Sequence, residues 1–432
     1  MSRKAAVDAG AQGATVIEAL TGLPGGRELL ELARERTDVA LVGGAVRDLL
    51  LGRTPRELDV TVASGSAELA AELAARLPGE DQRMPATTVH ERFATAAVDW
   101  IGGRIDLAER RAETYARPGA LPEVRPGTMA EDLARRDFTV NAIAVPLGGP
   151  LRGELQAVEN ALEDLADGLV RVLHPRSFLD DPTRLLRLGR YRARLRFEVE
   201  ADTARLALSA SSGGALDTVS GGRIAAELWL VTDEATAEAF TALGELGVLR
   251  ALALPAPFDQ RLLGDAISLL PGDGSPAVLE MAVLFHPVRE PSAGERLQAA
   301  AMLERLEFSA DARERVLAAA YDCYTLVARI EQAPLPSQLR SVLADVPVEA
   351  IALAGALGAR RSPEIPARAR AWLAELRDVR LQIAGADLLA AGLREGPEIG
   401  RRLQRVLDLK LDGELSGGRE TELLAALQEP GR

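Results

Sequence analysis

Short runs of alternating apolar and polar residues fill the first 150 positions, and a helical spacing replaces them afterwards. DVALVGG (38–44), LDVTVAS (58–64), FATAAVDW (93–100) and GRIDLAE (103–109) carry the β-branched, period-two pattern of strands, with helical stretches between them. This predicts a sheet domain of the α/β kind over 1–150. From LEDLADG (162–168) onward Ala, Leu, Arg and Glu recur three and four residues apart, as in PTRLLRLGRYRARLRF (182–197), and the prediction becomes helix. Pro and Gly at 254–257, 271–276, 286–293 and 360–366 break the helical region into bundles with no fixed repeat.

Composition narrows the partners. The 51 Lys+Arg against 64 Asp+Glu give a net charge of −13, so a polyanion must be met by a local patch rather than by the whole surface. Such a patch exists between Pro182 and Phe197, where Arg184, Arg187, Arg190, Arg192, Arg194 and Arg196 occur without an acid. Their spacing around a helix turns part of the set inward. Lys4 and Lys410 are the sole lysines, so nearly all positive charge is arginine, the better bidentate ligand for phosphate. The single Cys323 excludes an intramolecular disulfide and a cysteine metal cluster, and the scattered His90, His174 and His286 leave little for a histidine site. Aromatic residues make up 3%, too few for the stacking platforms of many single-strand binders. No apolar stretch of membrane-spanning length is present, and a cytoplasmic protein with no membrane partner is expected.

Candidate chemistry concentrates in four segments. LVGGAVRDLLLGRTPRELDVTV (41–62) reads as strand, Gly-Gly turn, short helix, loop and strand, which sets the Gly43 and Gly44 amides at a helix start suited to phosphate. On its second strand Glu57 and Asp59, two apart, share a face on which carboxylates hold hard divalent cations such as Mg2+. A triphosphate cradle beside a metal-binding carboxylate pair is what nucleotidyl transfer requires. In RRDFTVNAIA (135–144), Arg136, Asp137 and Asn141 supply a donor fork, an acceptor and an amide suited to ribose and phosphates; alternatively Asp137 starts a helix with Phe138, Val140 and Ile143 in the core. In LDDPTRLLR, Asp181 before Pro182 has the placement of a helix N-cap, and Asp181 and Arg184, three apart, can project together.

These motifs, with EDLADGLVRVLHPRSFLDDPTRLLRLGRY (163–191) and SGGRIAAEL (220–228) following in order, resemble the class II tRNA nucleotidyltransferase and bacterial poly(A) polymerase family of the DNA polymerase β-like superfamily. The resemblance is dense over the first 230 residues, and GADLLAAGLREGPEIGRRL (385–403) looks like the tail of CCA-adding members. It implies an α+β fold: a nucleotidyltransferase head with a mixed sheet over 1–150, a helical neck over 151–235, a helical body over 236–345 and a helical tail over 346–432.

The resemblance implies that Glu57 and Asp59 hold Mg2+, although the family normally has Asp where Glu57 stands, and that Asp106 on the neighbouring strand is the third carboxylate, base or ligand. It implies nucleotide contacts from Gly43, Gly44, Arg47, Arg136, Asp137, Asn141, Arg187 and Arg190, and a protein template for CTP and ATP from Asp181 and Arg184. Asp180 stands where the family commonly has Glu. Arg223 and Glu227 are expected to form a structural helix pair. The tail glycines Gly385, Gly392, Gly396 and Gly400 either present amides to RNA phosphates or serve helix packing. The implied activity is addition of CMP and AMP to the 3′ end of tRNA. A-adding enzymes and poly(A) polymerases share every quoted motif, and a non-catalytic RNA-binding homologue has the Glu57 replacement as its sequence support.

Overall fold

The alternating segments do become strands, and they assemble around the Gly-Gly turn. A computed structural model describes residues 9–79, 84–234, 236–255, 257–287 and 289–428, so Lys4 lies outside the described residues. The strands β1 (Ala40–Val42), β2 (Leu58–Val62), β3 (Ala86–His90), β4 (Thr95–Trp100) and β5 (Gly103–Glu109) are followed by β6 (Arg111–Thr114), β7 (Glu123–Pro126), β8 (Ile143–Pro146) and β9 (Gln156–Ala157). Seven of them form one sheet in the order β3-β4-β5-β2-β1-β8-β9, while β6 and β7 make a separate hairpin. The sheet is mixed, because β2 and β5 run parallel and the other neighbours antiparallel.

Two strands depart from the sequence reading for opposite reasons. β3 is exposed along its whole length at the sheet edge, so burial imposes no alternation on it. β8 is buried on both faces, and its continuous apolar run IAVP is indistinguishable by periodicity from a core helix turn. Asp137 therefore starts no α-helix: Thr139–Asn141 is a single 3₁₀ turn that leads into β8. Phe138, Val140 and Ile143 are nonetheless fully buried, as expected of the core. One side of the sheet centre packs Ala40, Val42, Ala142 and Ala144 on Leu133.

The chain divides into two compact units, one of residues up to Val219 together with Glu245–Ala251, the other of Ser220–Gly244 with the chain from Leu252 onward. In the first unit the sheet reaches beyond residue 150 through β9, and the long helix Arg184–Leu195 follows it. Among its described residues the second unit is built of helices and turns. Its C-terminal helices, Pro397–Leu411 and Arg419–Leu427, join a cluster of Ile383, Leu388, Val406, Ala425 and Ala426. Gly385 opens the six-residue helix Gly385–Ala390, whereas Gly400 lies inside Pro397–Leu411. No helix among the described residues is long and apolar enough to cross a membrane.

Candidate active site

The turn after β1 is built for close approach. Gly43 has φ +70° and donates its N–H to the Ile143 carbonyl at 2.9 Å, joining β1 to the end of the RRDFTVNAIA segment. The positive φ favours glycine there, and a Cβ would stand 2.7 Å from Arg136 Nη1, displacing the end of that guanidinium, and 3.7 Å from Asp59 Oδ2. The Arg136 guanidinium thus covers the turn that the sequence alone leaves open to phosphate. Gly44 lines the adjoining cleft, but the helix it opens, Gly44–Leu50, sends Arg47 the other way.

Arg47 is 1% exposed; its Nε lies 2.8 Å from Asp48 Oδ1, its Nη1 donates to Asn141 Oδ1, and its guanidinium carbon sits 5.4 Å from the Tyr191 ring centre. Arg47, expected from the resemblance to contact the nucleotide, is buried and does not line the cleft. It lies beneath the site and holds Asn141. Arg190 is likewise buried, 5.4 Å from the Tyr191 ring centre, and does not line the cleft.

The parallel pairing of β2 with β5 sets Asp59 opposite Asp106. Glu57 stands just before β2 rather than on it, yet Glu57, Asp59 and Asp106 each bring a carboxylate oxygen within 4.8 Å of the others. Burial pushes the Asp59 carboxyl up to about 6, Arg136 opposes that rise, and Asp106 and Glu57 add to it. Three hard oxygen donors within reach of one another fit a divalent cation such as Mg2+. Asp106 also accepts from Arg104, whose Nε is 3.0 Å from both its oxygens.

Beside the carboxylates opens a cleft of about 390 Å³, lined by Asp59, Arg111, Arg135, Arg136, Asp137, Asn141, Asp181, Arg184, Arg187 and Tyr191 among others. The arginines are held from behind. Asp132 accepts Arg135 at 2.7 Å on Oδ1 and Arg136 at 3.0 Å on Oδ2, and Glu113 accepts Arg111 at 2.9 Å and Arg135 at 3.2 Å. Asp132 is buried, but these arginines keep its carboxyl below the ordinary range. Asp137 receives its own neighbour's Phe138 N–H and Asn141 Nδ2 on Oδ1, and Arg187 on Oδ2. Burial opposes its ionisation, yet Arg187 and Asn141 hold its carboxyl down at about 2.

Asp181, read from the sequence as the N-cap, lies two residues before the actual N-cap Thr183 of the helix Arg184–Leu195, and its Oδ1 accepts the Thr183 N–H at 3.2 Å and the Thr183 hydroxyl at 2.7 Å. Arg184 donates to Ser177 Oγ at 2.6 Å and to the Arg135 carbonyl at 2.7 Å, which fixes its guanidinium at the cleft wall. Of the rest of the arginine patch, Arg194 turns inward to buried Asp48, Arg192 pairs with the exposed Glu245 at the surface, and Arg196 is exposed.

Sequence reasoning missed Arg111, Glu113, Tyr115, Asp132, Arg135 and Tyr191 as members of the site. The alternation of Arg111 and Glu113 in RAET was the available signal, since two residues apart on a strand they share a face. Arg223 and Glu227 fall four apart on the helix Gly221–Thr232.

A family model for the poly A polymerase head domain matches residues 39–171. The chain is 40% identical over 226 residues to the A-adding tRNA nucleotidyltransferase of Halalkalibacterium halodurans, a match covering 51% of each chain. It is 32% identical over 390 residues to the CC-adding tRNA nucleotidyltransferase of Deinococcus radiodurans, covering 89% of this chain and 88% of that one. A solved structure of a CCA-adding enzyme in its apo form II is similar at 26% identity, with a TM-score of 0.75, over 95% of this chain and 94% of that chain. The chain spans about half, or less, of the length of the A-adding relatives it matches.

Proposed function

The chain belongs to the class II tRNA nucleotidyltransferase family that carries the poly A polymerase head domain, and on that premise we propose that it adds CMP and AMP, without a nucleic-acid template, to the 3′ end of tRNA in the cytoplasm. One observation carries the reading. Arg136 Nε is buried with no hydrogen-bond partner among the described residues, and its guanidinium lines the cleft beside the three-carboxylate cluster. A guanidinium that lines the cleft beside a carboxylate cluster suits a metal-bound triphosphate.

In the proposed reaction the 3′-hydroxyl oxygen of the RNA attacks the α-phosphorus in line, a P–O bond forms, and pyrophosphate leaves. Glu57, Asp59 and Asp106 would hold Mg2+, which supplies Lewis-acid activation of the hydroxyl and charge for the leaving group. Arg111, Arg135 and Arg136 present positive charge to the triphosphate, and Asp132 and Glu113 keep their guanidinium groups fixed before it arrives. Asp137 and Asn141 offer an acceptor and an amide to the ribose. Asp181 and Arg184 meet the base edge, where cytosine and adenine each present an amino donor beside a ring-nitrogen acceptor. The head (1–150) does the chemistry, the neck (151–235) selects the base, and the body (236–345) and tail (346–432) grip the tRNA.

A second reading, AMP addition alone, is favoured by the A-adding names of relatives at 40% identity. Two tRNA transcripts separate the readings, one lacking the whole CCA end and one ending in CC, each incubated with Mg2+ and labelled CTP or ATP. CMP incorporation into the first transcript together with AMP incorporation into the second supports CCA addition, and CMP incorporation alone overturns it in favour of CC addition. AMP incorporation into the second alone supports the A-adding reading, and incorporation into neither overturns both.

A further inference from the structure

We infer that Arg104 competes with the divalent ion for the Asp106 carboxylate, so that metal enters this site by displacing one of the chain's own guanidinium groups. The inference rests on the metal-dependent reading above. Arg104 and Asp106 lie two apart on β5 and so share a face, and the β4–β5 register sets Arg104 directly opposite Asp99. Arg104 Nε lies 3.0 Å from each Asp106 oxygen and its Nη2 2.8 Å from Oδ1, while Nη1 lies 3.2 Å from Asp99 Oδ1. Both oxygens of the third carboxylate are therefore engaged by a cation on the cluster that Asp59 and Glu57 complete.

The position of this cation has a physical consequence. A guanidinium on Asp106 relieves like-charge repulsion among three carboxylates, but it opposes a second cation arriving at the same oxygens. Arg104 is also able to leave. Its side chain is 43% exposed, and Asp99 provides an alternative partner already in contact. A buried, fully committed arginine would instead have blocked the site. The cost of displacement is that of a partly exposed ion pair, which sets the expected effect at about two- to fivefold in metal affinity.

The test is a Mn2+ titration of the full chain, followed by the electron paramagnetic resonance signal of the free ion. Arg104→Gln removes charge and fork together, and Arg104→Lys keeps the charge but loses the two-pronged contact. The inference predicts tighter Mn2+ binding in both variants, larger in Arg104→Gln. Unchanged affinity in Arg104→Gln overturns it. So does tightening in Arg104→Gln with wild-type affinity in Arg104→Lys, because net charge alone would then explain the result. Asp59→Ala in the same titration separates this failure from that of the underlying reading: if Asp59→Ala leaves Mn2+ affinity unchanged, the ion is not held by the cluster and both fall.

Discussion

Arg187 reaches back fifty positions to Asp137, its Nε and Nη2 lying 2.9 and 2.6 Å from the same carboxylate oxygen, Oδ2. The other oxygen of Asp137 holds Asn141, whose own oxygen receives Arg47. A residue that the motif presents as a ribose contact thus also anchors the helix Arg184–Leu195. Asp137→Asn keeps an acceptor for Asn141 but sets an amide against Arg187. It should lower stability by about 2–4 kcal/mol, the range for breaking a mostly buried pair, and raise the KM for nucleotide more than it lowers kcat. Because the Asp137 carboxyl is held down at about 2 against an ordinary 3.8, its contribution to stability is present above pH 3.8 and lost as pH falls through about 2. Urea unfolding across that range, compared between wild type and variant, checks both statements.

Asp181 holds Thr183 at the start of the helix Arg184–Leu195 and, on the proposed reading, also meets the base edge. Asn keeps an oxygen acceptor for the Thr183 N–H and hydroxyl, so Asp181→Asn should leave stability within about 0.5 kcal/mol of wild type. It replaces an acceptor by a donor at the base edge, and incorporation of UTP or GTP relative to CTP and ATP should rise. Competition between labelled nucleotides reads the change. Unaltered preference at normal stability would leave Asp181 as a structural partner of Thr183 alone.

In the second unit Glu280 is buried against Thr236, to which it bonds at 3.0 Å. Burial pushes its carboxyl up to about 7 from 4.5, so the folded state holds a proton that the unfolded state releases between those values. Stability should therefore fall as pH rises from 4.5 through about 7. Glu280→Gln removes this loss and should add on the order of 1 kcal/mol at neutral pH. Thermal melts at pH 5 and pH 8 measure it, the variant showing the smaller difference.

The tail arginines are not equivalent. The Arg401 side chain is 73% exposed and pairs with Glu398, whereas that of Arg402 is 14% exposed and donates to the carbonyls of Ala426 and Leu427. Those carbonyls end the helix Arg419–Leu427 and have no partners within it. Arg402→Gln should destabilise the tail by about 1–2 kcal/mol. Arg401→Gln should spare stability, weaken tRNA binding and reduce its salt slope by about 1. An unchanged salt slope would mean that Arg401 does not meet RNA.

The order of sheet and helix was legible in the sequence, whereas the carboxylate trio came with the family resemblance: Glu57, read as a residue of the second strand, stands just before β2. Asp59 and Asp106 could be paired once their strands were adjacent. Arg47 and Arg190 could not be assigned from spacing, since a guanidinium that turns inward to Asn141 or Tyr191 leaves the same pattern as one that turns outward. Glu113 and Asp132 were hidden for a related reason. Their role arises from the return of the β6–β7 hairpin to the helix Met129–Ala134, a meeting that no local period encodes.

The central claim is that Asp59, at the middle of the carboxylate cluster, is needed for nucleotidyl transfer rather than for folding. Incorporation of labelled CMP and AMP into tRNA lacking its 3′ end, compared between wild type and Asp59→Ala under matched Mg2+, tests it directly. The account predicts extension by wild type, loss of at least about a thousandfold in the variant, and a melting temperature equal to or above wild type because a crowded carboxylate has been removed. Extension by Asp59→Ala at a rate near wild type would contradict it.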